Sequence, residues 1–123
     1  MNDGFWNAID ELVKNAEIVI DRPKGTAHPR YPDYIYKVDY GYLKETTSMD
    51  GAGIDVWVGT GGQKIDAVIC TVDLMKKDSE IKILIGCTEE EKQIIYQKVC
   101  NWQNFSSITC CIIYIYCVFI AYV

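Results

Sequence analysis

Short apolar runs separated by turn-forming residues fill the middle of this chain, and they constrain its fold more than any other feature. Glycine, proline and charged residues interrupt these runs, which is typical of β-strands joined by tight turns. The predicted strands cover residues 17–21, 34–38, 42–45, 54–58, 65–74 and 80–85, with a hairpin turn at 76–79. The pattern therefore predicts a mostly β-structure with mainly antiparallel pairing.

A helix is predicted on each side of these strands. Apolar residues recur at helical spacing through residues 3–14, where Asp3 can cap the first turn. Thr88 and Glu91 have the spacing of a capping box, which predicts a second helix to about Lys98. A chain of 123 residues is expected to form one domain with a modest core. The predicted class is α+β, mostly β: a small antiparallel barrel flanked by two helices.

The end of the chain breaks this pattern. No charged residue follows Lys98, and residues 108–123 are almost continuously apolar or aromatic. As a helix they would span about 24 Å, less than the ~30 Å hydrocarbon core of a bilayer. Three interpretations stay open: a membrane tail anchor, a buried terminal strand or helix, and an end created by a frameshift. We therefore divide the chain into a domain over residues 1–105 and an uncharged apolar tail over 106–123, and expect truncation after Lys98 to improve solubility.

Charge and cysteine content exclude some classes of function. The net charge of −5 argues against nucleic-acid binding, which normally leaves a basic footprint. The six cysteines form no C-x-x-C pair and there is a single histidine, so a structural zinc site is not expected. Residues 1–6 lack the features of a signal peptide. We expect a cytoplasmic protein with free thiols.

The strongest chemical signal is a pair of carboxylates, Asp50 and Asp55, at the mouth of a predicted strand. Gly51 and Gly53 lie between them and permit the tight backbone that would aim both carboxylates at one point. Convergent carboxylate oxygens suit Mg²⁺ and a phosphate substrate. The pair follows a Tyr-Gly-Tyr segment at residues 40–42.

Residues 17–86 resemble the soluble, metal-dependent inorganic pyrophosphatases. The resemblance is carried, in this order along the chain, by Asp21, Pro23, Arg30, Tyr40-Gly41-Tyr42, Asp50 and Asp55. It implies a barrel of the OB type, Mg²⁺ as cofactor, and hydrolysis of pyrophosphate or a related small phosphoanhydride. It also implies a homo-oligomer.

The resemblance also assigns roles to individual residues. The implied metal ligands are Asp21, Asp50, Asp55, Glu80 and Asp78, with Asp73 as a rival to Asp78. Asp50, Asp55 and Tyr40 are implied to be catalytic, whereas Arg30 and Lys82 are implied to contact phosphate. The ordinary structural alternatives are a turn residue for Asp50 and a solvated strand residue for Lys82.

The sequence departs from the family at three points. Ala52 stands where the family has the aspartate that is the favoured general base, a contribution of about 10²–10⁴-fold. A phosphate-contacting arginine has no counterpart, and the C-terminal Tyr-Lys contacts have no secure match. Two other functions therefore stay open: a non-catalytic pyrophosphate- or nucleotide-binding module, and a membrane-tethered protein that uses residues 108–123.

Overall fold

A computed structural model of the chain describes residues 3–48, 51–100, 108–114 and 119–120. The elements, in chain order, are α1 (Asp3–Lys14), β1 (Ile18–Arg22), β2 (Asp39–Leu43), β3 (Ile54–Val58), β4 (Ile65–Asp73), β5 (Asp78–Ile85), α2 (Glu89–Cys100), β6 (Ile108–Tyr114) and β7 (Phe119–Ile120). The described strands form a seven-stranded sheet in the order β1-β2-β3-β5-β4-β6-β7.

The predicted class, a mostly β α+β fold with two helices, is confirmed. Two details differ from the expected barrel. Strands β3 and β5 pair in parallel, whereas every other neighbouring pair is antiparallel. Within the described residues the sheet is open, because β1 and β7 lie at its edges and do not pair with each other.

Most predicted elements form with small shifts at their ends, and α1 and β3 have the predicted bounds. The strand predicted over residues 34–38 is wrong. Its alternating side chains Tyr34, Tyr36 and Val38 are buried as a strand would bury them. The backbone instead bonds to the loop before it, where Tyr36 N donates to Thr26 O at 2.9 Å. The segment therefore covers the core as a loop, with an isolated bridge between Ala27 and Ile35.

The two faces of the sheet build separate apolar clusters, because successive side chains of a strand point to opposite faces. Trp57, Ile69 and Leu84 belong to the cluster that also holds the α2 residues Ile95 and Tyr96. Their chain neighbours Val56, Val68 and Ile83 belong to the cluster that holds Trp6 of α1. Each helix therefore covers one face of the sheet.

Helix α2 begins with the predicted capping box. Glu91 N donates to Thr88 Oγ1 at 3.1 Å, and Thr88 N donates to Glu91 Oε1 at 2.9 Å. The Glu91 carboxylate also accepts hydrogen bonds from Thr60 N at 3.1 and 3.2 Å. Burial alone would raise the pKa of Glu91, but these hydrogen bonds lower it. The cap therefore also fixes the loop that follows β3.

Residues 108–114, which belong to the predicted tail, form the internal strand β6. It pairs with β4 from Ala67–Tyr114 to Asp73–Ile108, and Ile112 is fully buried in the α2-side cluster. Lys92 of α2 is 1% exposed and forms ion pairs with Asp66 at 3.0 Å and Glu89 at 2.8 Å. Its Nζ lies 4.8 Å from the ring centroid of Tyr114 in β6. Of the three interpretations of the tail, the buried terminal strand fits these residues.

Cysteine chemistry differs in part from expectation. Cys70 and Cys87 are reduced thiols outside any disulfide, and burial raises the pKa of Cys87 to about 12. Cys100 is disulfide-bonded, so the expectation of free thiols is wrong for this residue.

No helix among the described residues is long and apolar enough to cross a membrane.

Candidate functional site

A polar cleft of about 500 Å³ opens where β1, β2, β3 and β5 lie side by side. Its lining consists of Asp21, Arg22, His28, Tyr36, Tyr40, Gly41, Tyr42, Ala52, Gly53, Asp55, Lys76, Glu80 and Lys82. Acidic, basic and phenolic side chains thus face one space.

Lys82 is the centre of the contacts in this cleft. Its Nζ lies 2.7 Å from Asp55 Oδ2 and 3.2 Å from Glu80 Oε2, and donates a hydrogen bond to Tyr40 OH at 3.2 Å. Glu80 shares a strand face with Lys82 because it lies two residues earlier in β5. The parallel register sets Val56 of β3 opposite Ile83, which brings Asp55 beside Lys82.

Burial and neighbouring charges fix the protonation of this group. Burial alone would lower the pKa of Lys82, but Tyr40, Asp55 and Glu80 raise it above its ordinary value. Burial raises the pKa of Tyr40, which Lys82 only partly opposes. At neutral pH the cleft therefore holds an ammonium ion beside a neutral phenol that can donate a hydrogen bond.

The turn between β2 and β3 sets the position of Asp55. Ile54 N donates to Thr46 Oγ1 at 2.9 Å, which anchors the start of β3 to the end of β2. Gly51 has a φ of 81°, a left-handed conformation that favours glycine. Ser48 N donates to Ala52 O at 2.8 Å across this turn. Ala52 thereby lines the cleft together with Asp55.

A second cation, Arg22, enters the cleft from β1. Its Nη1 donates to Tyr36 OH at 2.8 Å, and its guanidinium carbon lies 5.7 Å from the centroid of the Tyr36 ring. The Tyr36 ring stacks on Tyr40 with centroids 5.4 Å apart and an interplanar angle of 28°. Burial raises the pKa of Tyr36, an effect that Arg22 partly opposes.

His28 contributes a neutral ring to the cleft. Its Nδ1 accepts a hydrogen bond from Arg30 N at 3.0 Å. Burial, followed by the charges of Arg22 and Arg30, lowers the pKa of His28. The neutral imidazole therefore carries its proton on Nε2.

The structure brings only some of the residues from the sequence prediction together. The predicted site residues in the cleft are Asp21, Tyr40, Asp55, Glu80 and Lys82. Asp50 lies outside the described residues, so its distance from Asp55 stays a prediction. Arg30 and Asp78 are not part of the cleft lining. Asp78 instead pairs with Asp73 at the β4–β5 hairpin, and the side chain of Asp73 accepts hydrogen bonds from Met75 N and Lys76 N.

Arg22 lines the cleft but is not among the site residues predicted from the sequence. Strict alternation along β1 would send Arg22 to the face opposite Asp21. The pairing with β2 shifts between Val19, which faces Tyr42, and Arg22, which faces Tyr40. Three steps along β1 thus match two along β2, as in a β-bulge, and both Asp21 and Arg22 line the cleft. The adjacent glycine at position 41 was the available signal.

A Mg²⁺ ion needs oxygen ligands, and the carboxylates of the cleft are the side chains that could supply them. No group of three or more His, Cys, Asp or Glu side chains within the described part of the chain is arranged to hold a metal. Mg²⁺, however, commonly takes one or two carboxylates and completes its shell with water and substrate phosphate oxygens. Asp21, Asp55 and Glu80 present carboxylates to the same cleft, so the chemistry of the donors fits that mode of binding.

A second cavity, of about 510 Å³, lies between α1 and the sheet. Ile9, Leu12, Ile54 and Ile83 contribute to a mainly apolar lining, which includes no lysine, arginine or histidine among the described residues. This cavity does not suit a phosphate anion, so the polar cleft is the candidate site.

Comparison with known proteins gives a limited result. No protein-family model and no curated protein match the chain. Among solved structures, the chain is similar to an inorganic pyrophosphatase from Neisseria gonorrhoeae, with a TM-score of 0.44 and 16% identity over 79% of this chain and 73% of that one. It is also similar to an inorganic phosphatase from Anaplasma phagocytophilum, with a TM-score of 0.36 and 20% identity over 72% of this chain and 63% of that one. Both scores and both identities are low, so these likenesses establish neither a family nor an activity.

Proposed function

We propose that this chain is a Mg²⁺-dependent hydrolase that cleaves inorganic pyrophosphate into two phosphates. One observation carries the proposal: Asp21, Tyr40, Asp55, Glu80 and Lys82, chosen from the sequence and up to 61 positions apart (82 minus 21), line one cleft. The resemblance to pyrophosphatases implies related roles for all five residues.

The charges of the cleft are consistent with a divalent ion between protein and substrate. Three carboxylates lie in the same space as Arg22, Lys76 and Lys82. Two of them, Asp55 and Glu80, already pair with Lys82. Without further positive charge the carboxylates would repel a pyrophosphate anion.

One or two of the carboxylates of Asp21, Asp55 and Glu80 would hold the ion, with Asp50 as the expected further ligand and water completing the shell. Mg²⁺ supplies Lewis acidity at the phosphoryl oxygens and makes a coordinated water more acidic. Lys82 would bind a phosphoryl oxygen as a permanent cation. The neutral hydroxyl of Tyr40 would donate a second hydrogen bond and orient the same group.

A non-catalytic pyrophosphate-binding module is the second candidate, and one observation favours it. Ala52 faces the cleft at the position where the resemblance implies a general base. A site that binds the anion without a proton acceptor at this point would turn over slowly.

Three further expectations belong to the proposal and rest on the sequence alone. The chain is proposed to act in the cytoplasm and to form a homo-oligomer. Its acidic net charge of −5 leads us to expect no nucleic-acid partner.

Phosphate release from pyrophosphate by the purified chain, with Mg²⁺ and with a chelator, tests the proposal. We expect release only with Mg²⁺, and a loss of at least about tenfold in Asp55→Asn, because a carboxylate of the proposed metal site is removed. Asp10→Asn is the matched control, since Asp10 is exposed on α1 and does not line the cleft.

Equal rates for the two variants would contradict the assignment of the activity to this cleft. Mg²⁺-dependent binding of pyrophosphate without any release would instead support the non-catalytic module.

A further inference from the structure

Two pairs of a cation and a tyrosine stand side by side in the cleft. Arg22 Nη1 donates to Tyr36 OH at 2.8 Å, and Lys82 Nζ donates to Tyr40 OH at 3.2 Å. The two tyrosine rings stack with their centroids 5.4 Å apart. The stack therefore holds two cations on adjacent supports that face one space.

The two cations differ in their anionic partners. Lys82 is paired with Asp55 and Glu80. Arg22 takes part in no ion pair formed by the described residues, and its guanidinium donates a hydrogen bond to a neutral phenol. A guanidinium group has five N–H donors in a planar fork, of which this bond uses one. A half-buried arginine in such a setting is suited to a bidentate contact with an anion that enters the cleft.

We infer that Arg22 is a phosphate-binding residue, and that Arg22 and Lys82 clamp the two phosphoryl groups of a diphosphate. This inference rests on the proposed function and extends it to a residue that the resemblance does not assign. Two cations held one ring stack apart suit two linked phosphoryl groups better than a single orthophosphate. Tyr36 is the positioning residue, because its hydroxyl fixes the guanidinium and its ring packs against Tyr40.

The β-bulge supplies the geometric cause. It turns Arg22 toward the same cleft as Asp21, although the two are adjacent in the strand. By contrast, Arg30 is exposed, and its backbone N donates a hydrogen bond to His28 Nδ1. The structure therefore favours Arg22 over Arg30 as the second phosphate-binding cation.

Titration calorimetry in the presence of Mg²⁺ tests the clamp, with methylenediphosphonate, whose bridge cannot be hydrolysed, standing in for pyrophosphate, and with orthophosphate. We expect Arg22→Gln to weaken pyrophosphate binding by roughly 10- to 100-fold, the usual effect of losing charge-assisted hydrogen bonds. Its preference for pyrophosphate over orthophosphate should fall as well. Arg22→Lys should lose less, because it keeps the charge but not the planar fork. Arg30→Gln should weaken binding less than Arg22→Gln.

Lys24→Gln is the control for the general loss of one positive charge. Lys24 is exposed two residues after Arg22 and is not part of the cleft lining, so its loss should leave affinity and activity unchanged. Tyr36→Phe should weaken pyrophosphate binding while it keeps every charge, a result that general electrostatics does not predict. Thermal unfolding of each variant checks that it is folded.

The outcomes separate the clamp from the proposed function. If the wild-type chain binds pyrophosphate and Arg22→Gln binds as Lys24→Gln does, the clamp is wrong and the proposed function stands. If the wild-type chain neither binds nor hydrolyses pyrophosphate, both are wrong. If Arg22→Gln does not fold, Tyr36→Phe decides, and unchanged affinity in that variant overturns the clamp.

Discussion

A single residue, Lys82, connects three strands around the polar cleft. Its ammonium group contacts side chains from β2 and β3 as well as Glu80 of its own strand. Without it, the carboxylates of Asp55 and Glu80 would face each other across a partly buried space with no cation between them. The same charge that pairs with these carboxylates would attract a phosphate anion that enters the cleft.

A substitution at Ala52 tests whether the cleft lacks a general base. We expect Ala52→Asp to raise the rate of pyrophosphate hydrolysis, by up to ~10²-fold, because the new carboxylate would enter the cleft beside Asp55 and act as a proton acceptor. The turn itself should persist, since the hydrogen bond from Ser48 N uses the backbone oxygen of residue 52. Steady-state phosphate release measures the change.

Ala52→Asn is the matched control, because it adds a side chain of similar size that cannot accept a proton in this way. A rise of the same size in both variants would show that polarity, not general-base action, is responsible. No rise in a folded Ala52→Asp would argue against a pyrophosphatase-type geometry.

The close contact between strands β1 and β2 explains why a glycine lies between the two tyrosines of the Tyr-Gly-Tyr segment. A Cβ atom on Gly41 would overlap the carbonyl oxygen of Val19 and lie 2.9 Å from Ile20 Cα. The bulged strand β1 thus passes directly over this residue, and only glycine leaves room for it. Tyr40 and Tyr42 on either side share the opposite face and line the cleft.

Gly41→Ala should therefore damage stability and binding together. Overpacking against backbone atoms costs about 1–3 kcal/mol, and relief of the overlap would move Asp21 and Arg22 away from β2. We expect a lower midpoint of denaturant unfolding and weaker binding of pyrophosphate. In Gly25→Ala the added Cβ meets nothing within 4 Å, so only the strain of its positive φ should appear, without a change in affinity.

If Gly41→Ala changes neither the unfolding midpoint nor the binding of pyrophosphate, the position of β1 does not depend on this close approach. A fall in stability with unchanged affinity would separate the bulge from the position of Arg22.

The sequence predicted the elements better than it predicted their pairing. Helix α1 and strand β3 follow directly from periodicity, and the capping box at Thr88 located the start of α2. The parallel contact of β3 with β5 is a long-range property that no local pattern encodes. The resemblance to pyrophosphatases nevertheless implies a shared site for Asp55, Glu80 and Lys82, although Asp55 lies far from the other two in the chain. All three line the cleft.

The position of Arg22 in the cleft does not follow from period-2 alternation, which assigns Arg22 to the wrong face when a bulge is not foreseen. The sequence also leaves the structure of the apolar tail undecided. A continuous apolar run has no period that distinguishes a strand from a helix.

Residues 108–114 and 119–120, which lie in the apolar end of the chain, belong to the sheet that forms the core of the whole molecule. Strand β6 pairs with β4 from Ala67 to Asp73, and α2 contacts β6 through Lys92 and Tyr114. The expectation that truncation after Lys98 improves solubility is therefore reversed.

Truncation after Lys98 should destabilise the chain and expose β4 as an unpaired edge that aggregates. Within the full-length chain, Ile112→Ala should cost about 2–5 kcal/mol, since Ile112 is fully buried. Thr109→Ala, at an exposed position of the same strand, is the matched control. Urea unfolding followed by circular dichroism measures all three. A truncated chain with an unchanged unfolding midpoint would show that β6 is dispensable.

Mg²⁺-dependent hydrolysis of pyrophosphate can be tested directly by ³¹P NMR. The signals of pyrophosphate and orthophosphate are recorded over time in the presence of the purified wild-type chain. We expect orthophosphate to replace pyrophosphate when Mg²⁺ is present, and a chelator to stop the conversion. A pyrophosphate signal that persists with Mg²⁺, while the chain remains folded, would contradict it.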